Sequence, residues 1–261
     1  MTLLDDVFSR PVAHRGLHDR TRGVIENTIS AAEAAVAGGF GIECDIQLSA
    51  DGEAMVFHDH HLDRLTEARG PVRERKAAEL GELAIGGSGD CIPTLAGFLD
   101  AIGGRTPVVI EVKSRFDGDE RLARRLVEVL EGRRDPLVIK SFDPEIVALL
   151  RRIAPDRPRG IVSQSRYDDS EAASLGDARL REMTDLLHWE HTRPDFLSWR
   201  HADLPAAAPF LGRMLGGVPL MAWTIRSATA AASALEHADQ IVFEGFLPAA
   251  PGAGGPGSNP A

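Results

Sequence analysis

Short apolar runs recur along the chain. Between them lie stretches whose apolar residues return every three or four positions. Val108 to Val112, Leu137 to Phe142, Gly160 to Ser163, Phe196 to Trp199, Leu220 to Ile225 and Ile241 to Phe243 are runs of the first kind. Their length and flanking turn residues predict buried strands. Upstream, Pro11 to His14 and Ile42 to Leu48 add two more, and Ala54 to Phe57 predicts an extension of the sheet. Leu122, Leu126, Val129 and Leu130 mark the apolar face of one helix; Ile146, Leu149, Leu150 and Ile153 mark another. Asn27 or Thr28 caps a helix that runs to Ala37 and closes at Gly38-Gly39, and Thr94 caps a further one. Eight strands alternating with helices predict an α/β protein with a parallel sheet, and eight units suit a closed (β/α)₈ TIM barrel. A doubly wound open sheet is the other arrangement, but no Gly-rich phosphate fingerprint supports it.

Three segments fall outside this rhythm. Residues 1–10 read as a short lead-in. Residues 60–92 read as a small insertion after the second strand, lying over the core, with one helix around Arg73 to Leu80. Residues 166–192 show no clear period. The expectation is one domain over 1–247 and a Pro/Gly/Ala-rich, disordered tail over 248–261.

With 261 residues, 43% hydrophobic and 26% charged, the chain has the makings of an ordinary globular core. A net charge of −10 argues against nucleic acid, and against stable association with an anionic membrane surface. Cys44 and Cys91 are the only cysteines, too few for a thiolate zinc site, and a disulfide between them is possible but not implied. No signal peptide or spanning segment is evident, so the default location is the cytoplasm.

The chemistry centres on Glu43 to Asp59. In a strand, residues two apart face the same side, so Glu43 and Asp45 point one way and Cys44 the other. At roughly 4 Å and an effective dielectric near 20, two carboxylates repel by about 4 kcal/mol, so a proton, a basic side chain or a cation must relieve them. Glu111 repeats the pattern with Lys113. Three carboxylates suit a hard divalent cation such as Mg²⁺ or Ca²⁺, with Mn²⁺ a further candidate. The plainer reading is a set of buried salt bridges with Arg15 and Lys113. His14 and His58 suit general acid–base work, and Asp59 suits orienting His58. Neighbouring His58, His60 and His61 do not easily converge on one zinc ion. Arg15 and Lys113 suit phosphate oxygens as well as the carboxylates. Asn27 is either a site hydrogen-bonder or a helix cap. Phe142 and Trp223 fall at strand ends, where they line either the mouth or the core.

In order, the chain carries His14-Arg15-Gly16, Glu26-Asn27-Thr28, Glu43-x-Asp45, Asp51-Gly52, His58-Asp59 and Glu111-x-Lys113. This series, from about Val12 to Glu244, resembles the glycerophosphodiester phosphodiesterase family. Leu62 to Thr66 and Ile92 to Leu95 also resemble its segments. The resemblance implies metal-dependent hydrolysis of a small-molecule glycerophosphodiester to sn-glycerol 3-phosphate and an alcohol. It implies Glu43, Asp45 and Glu111 as metal ligands, and His14 and His58 as the catalytic pair. It leaves monomer and homodimer equally open. Two departures stand out: Ile25 where Pro usually precedes Glu-Asn, and Ile241 to Phe246 where many members carry a Thr-Asp segment. Two alternatives are a lysophospholipase D-type lipid phosphodiesterase and a non-catalytic binding module on the same barrel. The first needs an apolar rim, for which Phe196, Leu197, Trp199, Phe210 and Leu211 are the candidates.

Overall fold

The computed structural model describes residues 2–248, so all but the first residue of the tail over 248–261 that the sequence reads as disordered lies outside the described residues. The strands are β1 (Val12–Ala13), β2 (Gly41–Leu48), β3 (Ala54–Val56), β4 (Val108–Val112), β5 (Leu137–Ser141), β6 (Arg159–Ser163), β7 (Phe196–Arg200), β8 (Leu220–Ile225) and β9 (Gln240–Phe243). Eight of them are parallel and close into a (β/α)₈ barrel, because β1 pairs with both β2 and β9. The ninth, β3, runs antiparallel to the C-terminal end of β2, beyond the reach of the two-residue β1. The helices are α1 (Leu3–Phe8), α2 (Ile29–Ala37), α3 (Ala77–Leu80), α4 (Leu95–Ile102), α5 (Arg121–Leu130), α6 (Pro144–Ile153), α7 (Asp169–Leu175), α8 (Asp177–Thr184), α9 (Trp189–Thr192), α10 (Ala207–Met214) and α11 (Ala228–Leu235).

Alternation sorts each strand into two environments. Ile42, Cys44, Ile46, Val108 and Ile110 pack outward with helix residues such as Ala35, Leu99 and Leu126. Each large aliphatic side chain buried there contributes roughly 1.5–3 kcal/mol. Inside the barrel, Val12, Val109, Val138, Phe196, Met221 and Val242 form an apolar plug. Farther along the same strands the lining turns polar: Asp45 stands opposite Glu111, and Glu111 opposite Lys140, across β2, β4 and β5. Apolar filling near the N-terminal end and charge toward the C-terminal end is the division of labour this barrel imposes.

Three sequence expectations need correction. Residues 1–10 are more than a lead-in. Thr2 caps α1 through a reciprocal pair of hydrogen bonds with Asp5. Val7 is fully buried, and Leu4 and Phe8 pack on the plug, so α1 shields its open end from water. The helix expected over Arg73 to Leu80 is instead a 3₁₀ turn, Val72–Glu74, followed by α3, because Arg75 and Lys76 are extended. The insertion also holds its own apolar cluster, in which Leu62, Leu65, Val72, Leu80 and Ile85 pack with Met55 and Phe57. Residues 166–192 resolve into α7, α8 and α9. Both cysteines are free, with Cys44 buried and Cys91 exposed.

Candidate active site

The C-terminal end of the barrel carries a closed ring of alternating charges. Glu43 accepts a hydrogen bond from the Arg15 backbone N–H at 3.1 Å, and its Oε1 lies 3.0 Å from Lys140 Nζ. Lys140 Nζ is 3.2 Å from Glu111 Oε2. Lys113 Nζ is 2.5 Å from Glu111 Oε1 and 2.8 Å from Asp45 Oδ1. Arg15 Nε, 3.4 Å from Asp45 Oδ2, completes the circuit. Glu43 and Asp45 are almost wholly buried. Burial opposes charge on Asp45, but Lys113, His58, Arg15 and His14 hold its carboxyl well below the usual range. Glu111 is likewise lowered against its burial by Lys113 and Lys140. Both lysines stay charged for the converse reason: burial disfavours their ammonium groups, and the carboxylates outweigh it.

The loop after β1 sets the entry to this ring. Arg15 and Asn27 both adopt left-handed backbone, φ 57° and 59°, and the Asn27 N–H donates to the Arg15 carbonyl at 2.9 Å. Such conformations in non-glycine residues cost about 1–3 kcal/mol each and mark sites held by their surroundings. A Cβ on Gly16 would sit 2.8 Å from Ala31, so His-Arg-Gly admits only glycine at its third place. Asn27 is not the helix cap. Thr28 caps α2, while Asn27 donates to Asp45 Oδ2 at 2.9 Å and accepts from the Asp45 N–H.

Two histidines stand at the rim, each backed by a carboxylate. His14 Nδ1 lies 2.5 Å from Glu244 Oε2, and Arg226 binds the other oxygen of Glu244 at 2.6 Å. His58 Nδ1 lies 2.7 Å from Asp59, which Arg64 grips from both its Nε and Nη2. A carboxylate can only accept, so Nδ1 carries the hydrogen in each ring and Nε2 is left for proton transfer. His60 has no such partner. It meets Gln47 at 3.3 Å, and burial together with Arg115, Lys113 and neighbouring histidines lowers it to about 4, so it is neutral near pH 7.

His14, His58, Arg15, Asp45, Glu111, Lys113, Phe142 and Trp223 line one cavity of about 470 Å³, with Lys140 at its base. Phe142 and Trp223 meet edge to face at 5.6 Å. The residues expected to carry catalysis, metal and phosphate binding therefore lie at this end of the barrel, with Asn27 and Asp59 behind the lining. Sequence reasoning did not assign Lys140, Glu244, Glu26 or Arg64. Glu26 and Arg64 sit in quoted motif segments, and that was the available signal. Glu26 binds Arg15 at 2.6 Å and Arg64 at 2.7 Å, tying the loop after β1 to the insertion.

That tie has a consequence at low pH. Burial disfavours the Glu26 carboxylate, yet Arg64 and Arg15 bring it down from 4.5 to about 2. A lowered folded value stabilises the fold above about pH 4.5, and this contribution is lost as pH falls toward about 2. Denaturant unfolding should therefore show stability falling across that window. In Arg64→Ala the fall between about pH 5 and pH 3 should be shallower. An unchanged slope in the variant would remove the clamp from the account.

The three carboxylates are the one group among the described residues able to hold a metal ion, with donor atoms within 4.8 Å of one another. Glu43 Oε1 is buried and paired with the Lys140 ammonium at 3.0 Å, so a cation using this oxygen would share it with Lys140. All-oxygen ligands of this kind fit a hard divalent ion.

The model of the glycerophosphoryl diester phosphodiesterase family matches residues 14–235. The chain belongs to this family. Among its relatives, the glycerophosphodiester phosphodiesterase of Caldanaerobacter subterraneus is 31% identical over 163 residues, 59% of this chain and 66% of its own length. The Bacillus subtilis enzyme of the same name is 30% identical over 195 residues, 66% of this chain and 64% of its own. The chain thus spans just under two thirds of each. A phosphodiesterase of Oleispira antarctica, solved in complex with the product sn-glycerol-3-phosphate, superposes with a TM-score of 0.74 at 24% identity, over 90% of this chain and 92% of that one. At that identity the likeness is one of fold.

Proposed function

We propose that this member of the family hydrolyses small glycerophosphodiesters to sn-glycerol 3-phosphate and an alcohol. The observation that carries the reading is the pairing of a three-carboxylate ring with two carboxylate-backed histidines around one cavity. Glu43, Asp45 and Glu111 would hold a divalent cation, which supplies Lewis-acid polarisation of a phosphoryl oxygen. Arg15 and Lys113 flank the same carboxylates and are placed to receive the remaining phosphate oxygens. One imidazole Nε2 takes the proton of the attacking hydroxyl as its oxygen bonds to phosphorus. The other gives a proton to the departing alcohol oxygen as that P–O bond breaks. Asp59 and Glu244 hold the Nδ1–H of each ring, so the base enters with Nε2 bare and the acid must enter as the imidazolium, with a second proton on Nε2 to give. Trp223, anchored by its Nε1–H on the Ser198 carbonyl at 3.1 Å, would face the glycerol with Phe142.

The product bound in the Oleispira structure supports the substrate class. So does the cavity wall, where Gln164, Asp168, Arg200 and Arg226 present polar groups. The apolar rim that a lipid substrate would need is not assembled from the expected residues. Phe196, Leu197 and Trp199 are buried in the barrel, while Phe210 and Leu211 are exposed on α10 away from the cavity lining. No helix of the described residues is long and apolar enough to cross a membrane. One observation favours a lipid reading: an adjoining pocket, sharing Glu111, Lys113 and Phe142, is lined by Phe116, Leu175 and Met183. The test compares kcat/KM for glycerophosphocholine and lysophosphatidylcholine below the lipid's micelle concentration. Glycerophosphocholine should be the better substrate by roughly tenfold or more, about 1.4 kcal/mol in transition-state binding. A preference for the lipid would move the protein to the phospholipase D reading.

A further inference from the structure

The two ammonium groups of the charge ring are not equivalent. The Lys113 side chain is 16% exposed and opens onto the cavity, so it can turn toward an incoming phosphate. The Lys140 side chain is 3% exposed, rises near the C-terminal end of β5, and has its Nζ between Glu43 Oε1 and Glu111 Oε2. It reaches the cavity only at its base and is almost wholly buried. Three carboxylates face three cationic side chains, Arg15, Lys113 and Lys140, so the ring is neutral before any divalent ion enters. An ion that uses all three carboxylates must share two of them with an ammonium group held between them, where burial leaves little water to screen the repulsion.

We infer that Lys140 is a built-in competitor for the divalent cation. It occupies one oxygen each of Glu43 and Glu111, holds metal affinity down, and leaves the loaded ring with net positive charge toward a phosphodiester anion. The inference rests on the metal-dependent reading above. An orienting role for Lys140 predicts the opposite sign, since loss of an orienting group weakens metal binding.

The experiment is a calorimetric titration of the full chain with Mn²⁺ alone, for wild type, Lys140→Met and Lys140→Arg. Methionine keeps the length and removes the charge; arginine keeps the charge. Lys140→Met should bind Mn²⁺ roughly tenfold tighter or more, with Lys140→Arg within about threefold of wild type. Equal or weaker binding by Lys140→Met, with wild type binding normally, overturns this inference and leaves the metal reading standing. No Mn²⁺ uptake by any of the proteins overturns both. If Lys140→Met is too unstable to isolate, Lys140→Gln takes its place, and the rise of its thermal midpoint with Mn²⁺ concentration reads the same affinity.

Discussion

Excess EDTA should abolish turnover of glycerophosphocholine, and Mg²⁺, Mn²⁺ or Ca²⁺ should restore it. The expectation follows from three buried carboxylates whose donor atoms come within 4.8 Å of one another, an all-oxygen set that suits a hard divalent ion. A Lewis acid contributes several kcal/mol to phosphoryl transfer. At about 1.4 kcal/mol per tenfold, losing about 4 kcal/mol lowers the rate roughly 10³-fold. Glu43→Gln and Asp45→Asn should each fall by at least that much at any metal concentration tried. The charge ring adds a second expectation. Glu43→Gln leaves Lys140 with Glu111 alone, and Asp45→Asn leaves Lys113 in the same position. Removing one partner from a buried ion pair costs about 3–5 kcal/mol, so both variants should also melt earlier than wild type. Activity is therefore compared well below their own midpoints, with circular dichroism as the check on folding. Undiminished turnover in EDTA would sink the metal reading.

His14→Ala and His58→Ala should each lose a factor of about 10² to 10⁴ in kcat, the usual range for a positioned acid or base. Each ring has its Nδ1 committed to a carboxylate and its place on the same cavity. Glu244 is held low by His14, His18 and Arg226 against its burial, and Asp59 by His58 and Arg64, so both remain anionic while their imidazoles exchange protons. His60→Ala and His61→Ala should cost less than about tenfold. His60 is neutral near pH 7 and bonded to Gln47; His61 is exposed, bridged through its backbone to Pro71 in the insertion. If His60→Ala proves as damaging as His58→Ala, the roles within the cluster are wrongly assigned.

The local pattern carried much of this reading. Buried apolar runs of three to six residues, separated by amphipathic stretches, produced the barrel strands from Val108 onward within one or two residues of their observed ends. Capping chemistry placed the start of α2 at Asn27 or Thr28, of which Thr28 is the cap, and that of α4 at Thr94, because a side-chain oxygen that accepts from the helix's first turn is a local fact. That Glu43 and Asp45 share one face of β2 and Cys44 takes the other follows from strand periodicity, while the closed barrel decides that the shared face looks inward. The 3₁₀ turn over Val72–Glu74 escaped because a short charged segment has no period to read. The helix α1 was legible only in its Thr2 to Asp5 capping pair, since its burial depends on a barrel end that does not exist until the strands close.

The sequence by itself determined which chemical groups this protein has and which side of a strand each faces. Both are set by residue identity and by a repeat spanning two residues. Only the tertiary structure decided what each group meets. Glu111 and Lys140 are joined by the register of β4 on β5, and His14 and Glu244 by closure of β1 on β9 across 230 positions of chain. Register and closure arise from the summed packing of all eight strands, so no local window contains them. For the same reason Lys140 reads in the sequence as one more residue at a strand end, and in the fold as a buried cation between two carboxylates.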